Sequence, residues 1–185
     1  LPFLLVIGAS GSGKSSLLRA ALLPRLTLPG TIPDVDLWGT AIVTPGPDPF
    51  LSLAEGLFAD AAMGPALRQG AFRTAELLAK QLAGDIETAV APLRDALDRA
   101  ADAHKTKAHF ADMPSARLAL VIDQAERLFI ESEAETATAF AELVAALVRH
   151  NLAYVILALR SDVYARFQSI EALVELREAG ATLDL

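Results

Sequence analysis

Short apolar runs alternate with amphipathic segments along this chain. Residues 1–7, 38–44, 117–123 and 152–159 are almost wholly apolar, which is typical of strands buried on both faces of a parallel sheet. Residues 181–185 predict a fifth strand. Alternating strands and helices of these lengths predict an α/β fold, a three-layer α/β/α sandwich with a mainly parallel sheet.

The segments between the runs carry helix signals and stop signals. Residues 14–23 have apolar side chains at helical spacing, and we expect this helix to end before Pro24, which lacks an amide hydrogen. Another helix should begin after the fourth strand, capped by Ser161 or Asp162. Residues 128–130 predict a loop or turn.

A long helical stretch separates the second and third strands. Residues 66–110 have an almost continuous helical pattern, broken near Gly70 and Gly84. Helices starting at Asp48 or Pro49 and covering 133–150 complete the prediction. We therefore expect a single α/β core with a helical insertion before the third strand.

Composition narrows the function classes. The chain has 185 residues, 53% of them hydrophobic, which fits one domain, residues 1–185, with a buried core. Sixteen basic against 23 acidic residues give a net charge of −7, which argues against a nucleic-acid or anionic-lipid surface.

No apolar run approaches the roughly 20 residues that span a bilayer, and no secretion signal is present, so we expect a cytoplasmic protein. Because a strand without an initiator Met opens the chain, we expect a fragment of a longer protein.

A glycine-rich motif follows the first strand. The segment Gly8-Ala-Ser-Gly-Ser-Gly-Lys14-Ser15 matches the Walker A pattern G-x-x-x-x-G-K-[ST] and lies between a predicted strand and a predicted helix. Glycines let backbone amides form a nest for phosphate oxygens, Lys14 reaches the β and γ phosphates, and Ser15 offers a hydroxyl to Mg²⁺. Ser16 is placed to support the α phosphate. The predicted phosphate-binding residues are Gly8, Ala9, Ser10, Gly11, Ser12, Gly13, Lys14, Ser15 and Ser16.

An acidic residue ends the third strand, at the sheet edge where ligands bind in α/β proteins. There Asp123 is the expected magnesium carboxylate of a Walker B strand. Glu126 is the nearest candidate general base for an attacking water, and Gln124 is an alternative that orients the water without taking its proton. Glu126 has a second interpretation, as a solvated acid of a first helical turn paired with Arg127.

Arg160 ends the fourth strand and should open toward the same edge. Its guanidinium can bind the γ phosphate and report its loss. The alternative is a surface arginine paired with Asp162, two residues further on.

Four segments together resemble the STAND class of signal-transduction ATPases, which share AAA+-like cores. They are VIGASGSGKSSLLRAALLPR at 6–25, TPGPDP at 44–49, LVIDQAERLF at 120–129 and LALRSDVY at 157–164. The resemblance is to the bacterial type joined to WD or tetratricopeptide repeats. It implies an ATP-driven switch in which ADP holds a closed monomer and ATP permits oligomerisation.

The resemblance also implies partners and roles. Residues 8–16 would bind ATP or ADP, Asp123 would hold Mg²⁺, and Arg160 would sense the γ phosphate. C-terminal sensor or repeat domains of the parent chain and a homo-oligomer would be the partners. Gln124 stands where many related ATPases place a second acid, so we expect slow hydrolysis.

A P-loop small-molecule or nucleoside kinase is the alternative function. It would require an arginine-rich lid and an acceptor site, and the acidic, alanine-rich helices of 66–109 do not provide a convincing lid. A GTPase is disfavoured because no Asn-Lys-x-Asp sequence occurs. The intact Lys14, Ser15 and Asp123 argue against a scaffold that has lost nucleotide binding.

Overall fold

Five parallel strands form a single sheet in the computed structural model, which describes residues 1–108 and 112–185. The strand order is β2-β3-β4-β1-β5, so β1 lies between the last two strands of the chain. The α/β prediction with a parallel sheet is confirmed, and each predicted strand is present. The strands are β1 (Phe3–Gly8), β2 (Leu37–Val43), β3 (Ala116–Ile122), β4 (Ala153–Arg160) and β5 (Ala181–Asp184).

Helices connect successive strands and cover both faces of the sheet. Those before β3 are α1 (Lys14–Leu17), a π-helical segment (Leu18–Leu22), α2 (Leu23–Leu26), α3 (Pro49–Leu57), α4 (Gly64–Gln69), α5 (Ala75–Leu82) and α6 (Ile86–Ala108). Those after β3 are α7 (Glu126–Glu131), α8 (Ala134–Arg149), a 3₁₀ turn (Ser161–Val163), α9 (Tyr164–Gln168) and α10 (Glu171–Ala179). No helix in these described ranges combines the length and apolarity needed to cross a bilayer.

The central strands are buried on both faces, which explains their uninterrupted apolar sequence. In β3, Leu118 and Leu120 belong to the larger core beneath α3, α5, α6 and α8. Ala119 and Val121 point to the opposite face and join a smaller cluster with Leu18 of the π-helical segment. Successive side chains of a strand alternate between faces, so one strand supplies both cores.

The helical insertion packs on the larger core. Helices α4, α5 and α6 lie between β2 and β3, and breaks occur at Gly70 and Gly84 as predicted. Leu93 and Leu97 of α6 are buried in the same cluster as the sheet residues, and α6 contacts both α8 and β3. The last residues of the predicted insertion, 109–110, lie outside the described part of the chain.

The prediction that the first helix ends before Pro24 is wrong. The helical run continues to Leu26 because the amide of Leu23 donates to the carbonyl of Leu18, five residues back, in π-helical geometry. Proline at position 24 has no amide hydrogen to donate and crowds the preceding turn. The wider π turn accommodates this, and Leu23 remains buried.

Two further local predictions are also wrong. Residues 128–130 lie in α7 rather than in a loop, because Leu128 is buried in the core and a pair between Arg127 and Glu131 spans one turn of the helix. Asp162 does not cap a helix, since its carboxylate accepts hydrogen bonds from Arg160 instead. Asp48 does cap α3, accepting from the amide of Leu51 at 2.9 Å.

Candidate functional site

The glycine-rich loop leaves β1 at Gly8 and enters α1 at Lys14. A Cβ atom at Gly8 would lie 2.8 Å from the carbonyl oxygen of Leu185, so only glycine fits beside that residue. Gly13 has φ 87° and ψ 9°, a left-handed conformation that glycine adopts without strain. Both glycines are therefore required by the shape of the loop.

The loop forms one wall of a cavity of about 480 Å³ at the carboxyl edge of the sheet. The ends of β3 and β4 form the opposite wall, because the carboxyl ends of parallel strands meet at one edge. The lining residues are Ser10, Gly11, Ser12, Gly13, Lys14, Ser15, Ser16, Asp123, Gln124, Glu126 and Arg160. The cavity thus brings together all the predicted site residues except Gly8 and Ala9.

Lys14 is directed back onto its own loop. Its Nζ donates to the carbonyl oxygens of Gly8 and Ala9 at 2.8 and 2.7 Å, and lies 3.4 Å from Oγ of Ser12. Gly8 and Ala9 therefore contribute to the site through carbonyl groups that hold the lysine. An ammonium held at the loop by oxygen atoms is ready to exchange those acceptors for phosphate oxygens.

Ser15 and Asp123 meet across the cavity although 108 positions separate them in sequence. The hydroxyl of Ser15 donates to Oδ1 of Asp123 at 2.8 Å, and Asp123 is only 2% exposed. Nη2 of Arg19 donates to the other oxygen, Oδ2, at 3.3 Å. The sequence analysis missed Arg19, although its position one helical turn after Ser15 places both side chains on the same face.

Gln124 forms the turn that follows Asp123. Its φ of 54° is left-handed, an uncommon conformation for a residue with a side chain. The amide of Ala125 then donates to the carbonyl of Ala158 at 2.9 Å, which fixes the turn to β4. Backbone held in such a conformation is often found at functional sites. The turn leaves Gln124 exposed at the cavity wall and starts α7 at Glu126.

Glu126 has one oxygen that faces no donor. Its Oε2 is buried and has no hydrogen-bond partner among the described residues. The predicted pair with Arg127 does not form. Arg127 instead donates to both oxygens of Glu131 at 2.7 and 2.9 Å, which raises the pKa of Arg127 and lowers the pKa of Glu131.

Arg160 lines the cavity and also forms the pair with Asp162 that the second interpretation expected. It ends β4 directly beside Gly8 in the register of the sheet, and its side chain lines the cavity. Its Nε and Nη2 also donate to the two oxygens of Asp162 at 3.0 and 2.6 Å. The Arg160 side chain is 38% exposed, so it lies at the mouth of the cavity while paired.

These side chains fit a magnesium-bound phosphate. The hydroxyl of Ser15 and the carboxylate of Asp123 are oxygen donors, which Mg²⁺ prefers, and they already face each other. Lys14 and Arg160 supply positive charge on either side of the same cavity. Glu126 lines the same cavity and adds a carboxylate to it.

A parallel α/β sheet with a glycine-rich loop after an interior strand, a lysine and a serine at the following helix and a carboxylate at the end of another strand defines the P-loop class of NTPases. A family model agrees. The model for novel STAND NTPase 1, nSTAND1, matches residues 1–184, so the chain belongs to this family of nucleotide-binding NTPases.

Comparison with solved structures and curated proteins adds little to that assignment. The cytoplasmic domain of the type VII secretion ATPase EccC from Thermomonospora curvata is similar in structure, with 18% sequence identity and a TM-score of 0.45. The match covers 99% of this chain and 19% of that chain. No curated protein matched the sequence.

Proposed function

We propose that this domain is the ATP- and ADP-binding switch of a STAND-type signal-transduction ATPase, dependent on Mg²⁺ and slow in hydrolysis. The observation that carries the proposal is the 2.8 Å hydrogen bond from Ser15 to the buried Asp123. It joins the phosphate loop to the acidic end of β3, as binding of a metal between them requires.

Each side of the cavity has a proposed task in binding. The amides of residues 8–13 cradle phosphate oxygens, and Lys14 transfers its ammonium from the carbonyls of Gly8 and Ala9 to the β and γ phosphates. Ser15 and Asp123 hold Mg²⁺, and Ser16 supports the α phosphate. When bound, Mg²⁺ neutralises phosphate charge.

Hydrolysis depends on residues at the start of α7. Glu126 accepts a proton from the attacking water at its carboxylate, which lines the cavity, while Gln124 orients that water from the turn before it. The new bond from the water oxygen to the γ phosphorus replaces the bond to the ADP oxygen. Because Gln124 is neutral where a second acid would assist, we expect this step to be slow.

Arg160 is the proposed sensor of the γ phosphate. Arg160 pairs with Asp162, and a phosphate oxygen in the cavity competes with that carboxylate for the same guanidinium. The exchange distinguishes ATP from ADP. We propose that it is coupled to oligomerisation and to sensor or repeat domains of the parent chain, in the cytoplasm.

No observation on the described residues favours the kinase alternative. The helices α4, α5 and α6, which lie between β2 and β3 where a kinase lid was considered, pack on the larger core beside β3 and α8. The family match is to an NTPase. Phosphate transfer to water is therefore the reaction we propose.

The test is nucleotide affinity after removal of the lysine. Lys14→Ala deletes the charge-assisted contacts to phosphate, worth about 1.5–3 kcal/mol, so ADP and ATP should bind about tenfold to 150-fold more weakly by calorimetry with Mg²⁺ present. Lys80→Ala, at an exposed position of α5, is the matched control and should bind as the unaltered protein does. Unchanged affinity in Lys14→Ala would overturn the proposal.

A further inference from the structure

Among the described residues, Arg19 is the charged side chain that binds the proposed metal carboxylate. It belongs to the π-helical segment that follows α1, and its Nη2 lies 3.3 Å from Oδ2 of Asp123. The two partners differ sharply in exposure, because the arginine side chain is 53% exposed and the aspartate side chain 3%. A solvent-facing cation therefore reaches inward to a buried anion.

Each oxygen of the Asp123 carboxylate accepts a hydrogen bond from a protein donor. Oδ1 accepts from the hydroxyl of Ser15 and Oδ2 accepts from Arg19. A buried charge without a partner is costly, so Asp123 needs a cation beside it when no metal is bound. Within the described chain, Arg19 makes the ion pair that supplies that charge.

The exposure difference decides which partner gives way. Arg19 can leave Asp123 and have its donors hydrated, since half of its side chain already meets solvent. Asp123 is only 2% exposed at the end of β3, so water cannot replace its protein partners where it lies. Two cations at one carboxylate repel each other, so occupancy by one weakens the other.

We propose that Arg19 is an internal counter-ion that neutralises Asp123 in the metal-free state and competes with Mg²⁺ for that carboxylate. This inference rests on the proposed function, since it assigns Mg²⁺ to Asp123. Arg19 is then a positioning residue that sets the magnesium concentration at which the nucleotide site fills. By linkage, removing it tightens Mg²⁺ binding and destabilises the metal-free protein.

The experiment measures thermal unfolding of Arg19→Gln against MgCl₂ concentration, with and without saturating ADP. Without metal the variant should melt about 2–4 °C lower than the unaltered protein, because the carboxylate has lost its cation. With ADP present, the midpoint is the MgCl₂ concentration that gives half of the full rise in melting temperature. This Mg²⁺ midpoint should be about threefold to tenfold lower in Arg19→Gln than in the unaltered protein. Neither readout depends on hydrolysis.

Two variants control for charge and position. Arg25→Gln removes an exposed cation six residues further along the same helical run and should leave the Mg²⁺ midpoint unchanged. Arg19→Lys keeps a cation at the site and should keep the midpoint near that of the unaltered protein.

The outcomes separate this inference from the function beneath it. A midpoint that is unchanged or higher in Arg19→Gln, with a normal response of the unaltered protein to MgCl₂ and ADP, would overturn the counter-ion role alone. An equal fall of the Mg²⁺ midpoint in Arg25→Gln would also overturn the counter-ion role, because it would show a general effect of removing positive charge. No response of the unaltered protein to MgCl₂ and ADP would overturn both proposals.

Discussion

Gly13 allows the conformation of the phosphate loop to be tested without a steric clash. It has φ 87°, and a Cβ atom added there would meet no heavy atom within 4 Å. The cost of Gly13→Ala is therefore conformational alone, about 1–2 kcal/mol for a left-handed residue with a side chain. In a protein of this size that lowers the melting temperature by about 2–8 °C.

The same substitution should weaken nucleotide binding beyond its effect on stability. If the loop relaxes to a right-handed conformation at position 13, the following residues Lys14 and Ser15 are displaced from the cavity wall. The loss of even one charge-assisted phosphate contact costs about 1.5–3 kcal/mol. We expect ADP affinity, measured by calorimetry with Mg²⁺, to fall at least about tenfold.

Gly30 provides the matched control. It has φ 78°, also has open space where a Cβ would lie, and belongs to the connection between α2 and β2, away from the cavity. Gly30→Ala should lower the melting temperature by a similar amount and leave ADP affinity unchanged. Affinity retained in Gly13→Ala, or lost equally in Gly30→Ala, would refute the reasoning.

Two further substitutions separate metal binding from catalysis. Asp123→Asn keeps the shape and the acceptor for Ser15 but removes the charge, so adding Mg²⁺ should no longer strengthen ADP binding in calorimetry; Asp60→Asn, whose side chain is 83% exposed, should respond normally. Glu126→Gln should slow single-turnover ATP hydrolysis by about 100-fold with ADP affinity intact, because the proton acceptor is lost. A magnesium response in the first variant, or an unaltered rate in the second, would contradict the assigned roles.

The strands were predictable because burial on both faces of the sheet gives each strand an uninterrupted apolar sequence. Leu118 and Leu120 face one core while Ala119 and Val121 face the other, so no polar position interrupts the run. The helix end predicted at Pro24 was wrong because packing overrides the local preference of proline. Its local preference ends a helix, but burial of Leu23 and a switch to π-helical hydrogen bonding continue the helical run past it.

The site was predictable where topology alone brings residues together. Ser15 and Asp123 follow the ends of two strands of one parallel sheet, so their meeting follows from the fold. The choice between charged neighbours was not predictable. Arg127 has an acid beside it and another four residues on, and only the helix geometry of α7 selects Glu131 and leaves Glu126 with a free oxygen.

Three cations of the cavity region already have oxygen partners within the protein. Lys14 is bonded to loop carbonyls, Arg19 to Asp123 and Arg160 to Asp162. A bound nucleotide with its metal must therefore exchange these bonds rather than meet free charges, and the net affinity is the difference between the two sets. Small energy differences of this kind are easily shifted by a change in ligand or by a neighbouring domain, which suits the switch that we propose. The same exchange explains how a domain of net charge −7 carries a phosphate site, since its local cations are balanced by local oxygens until phosphate replaces them.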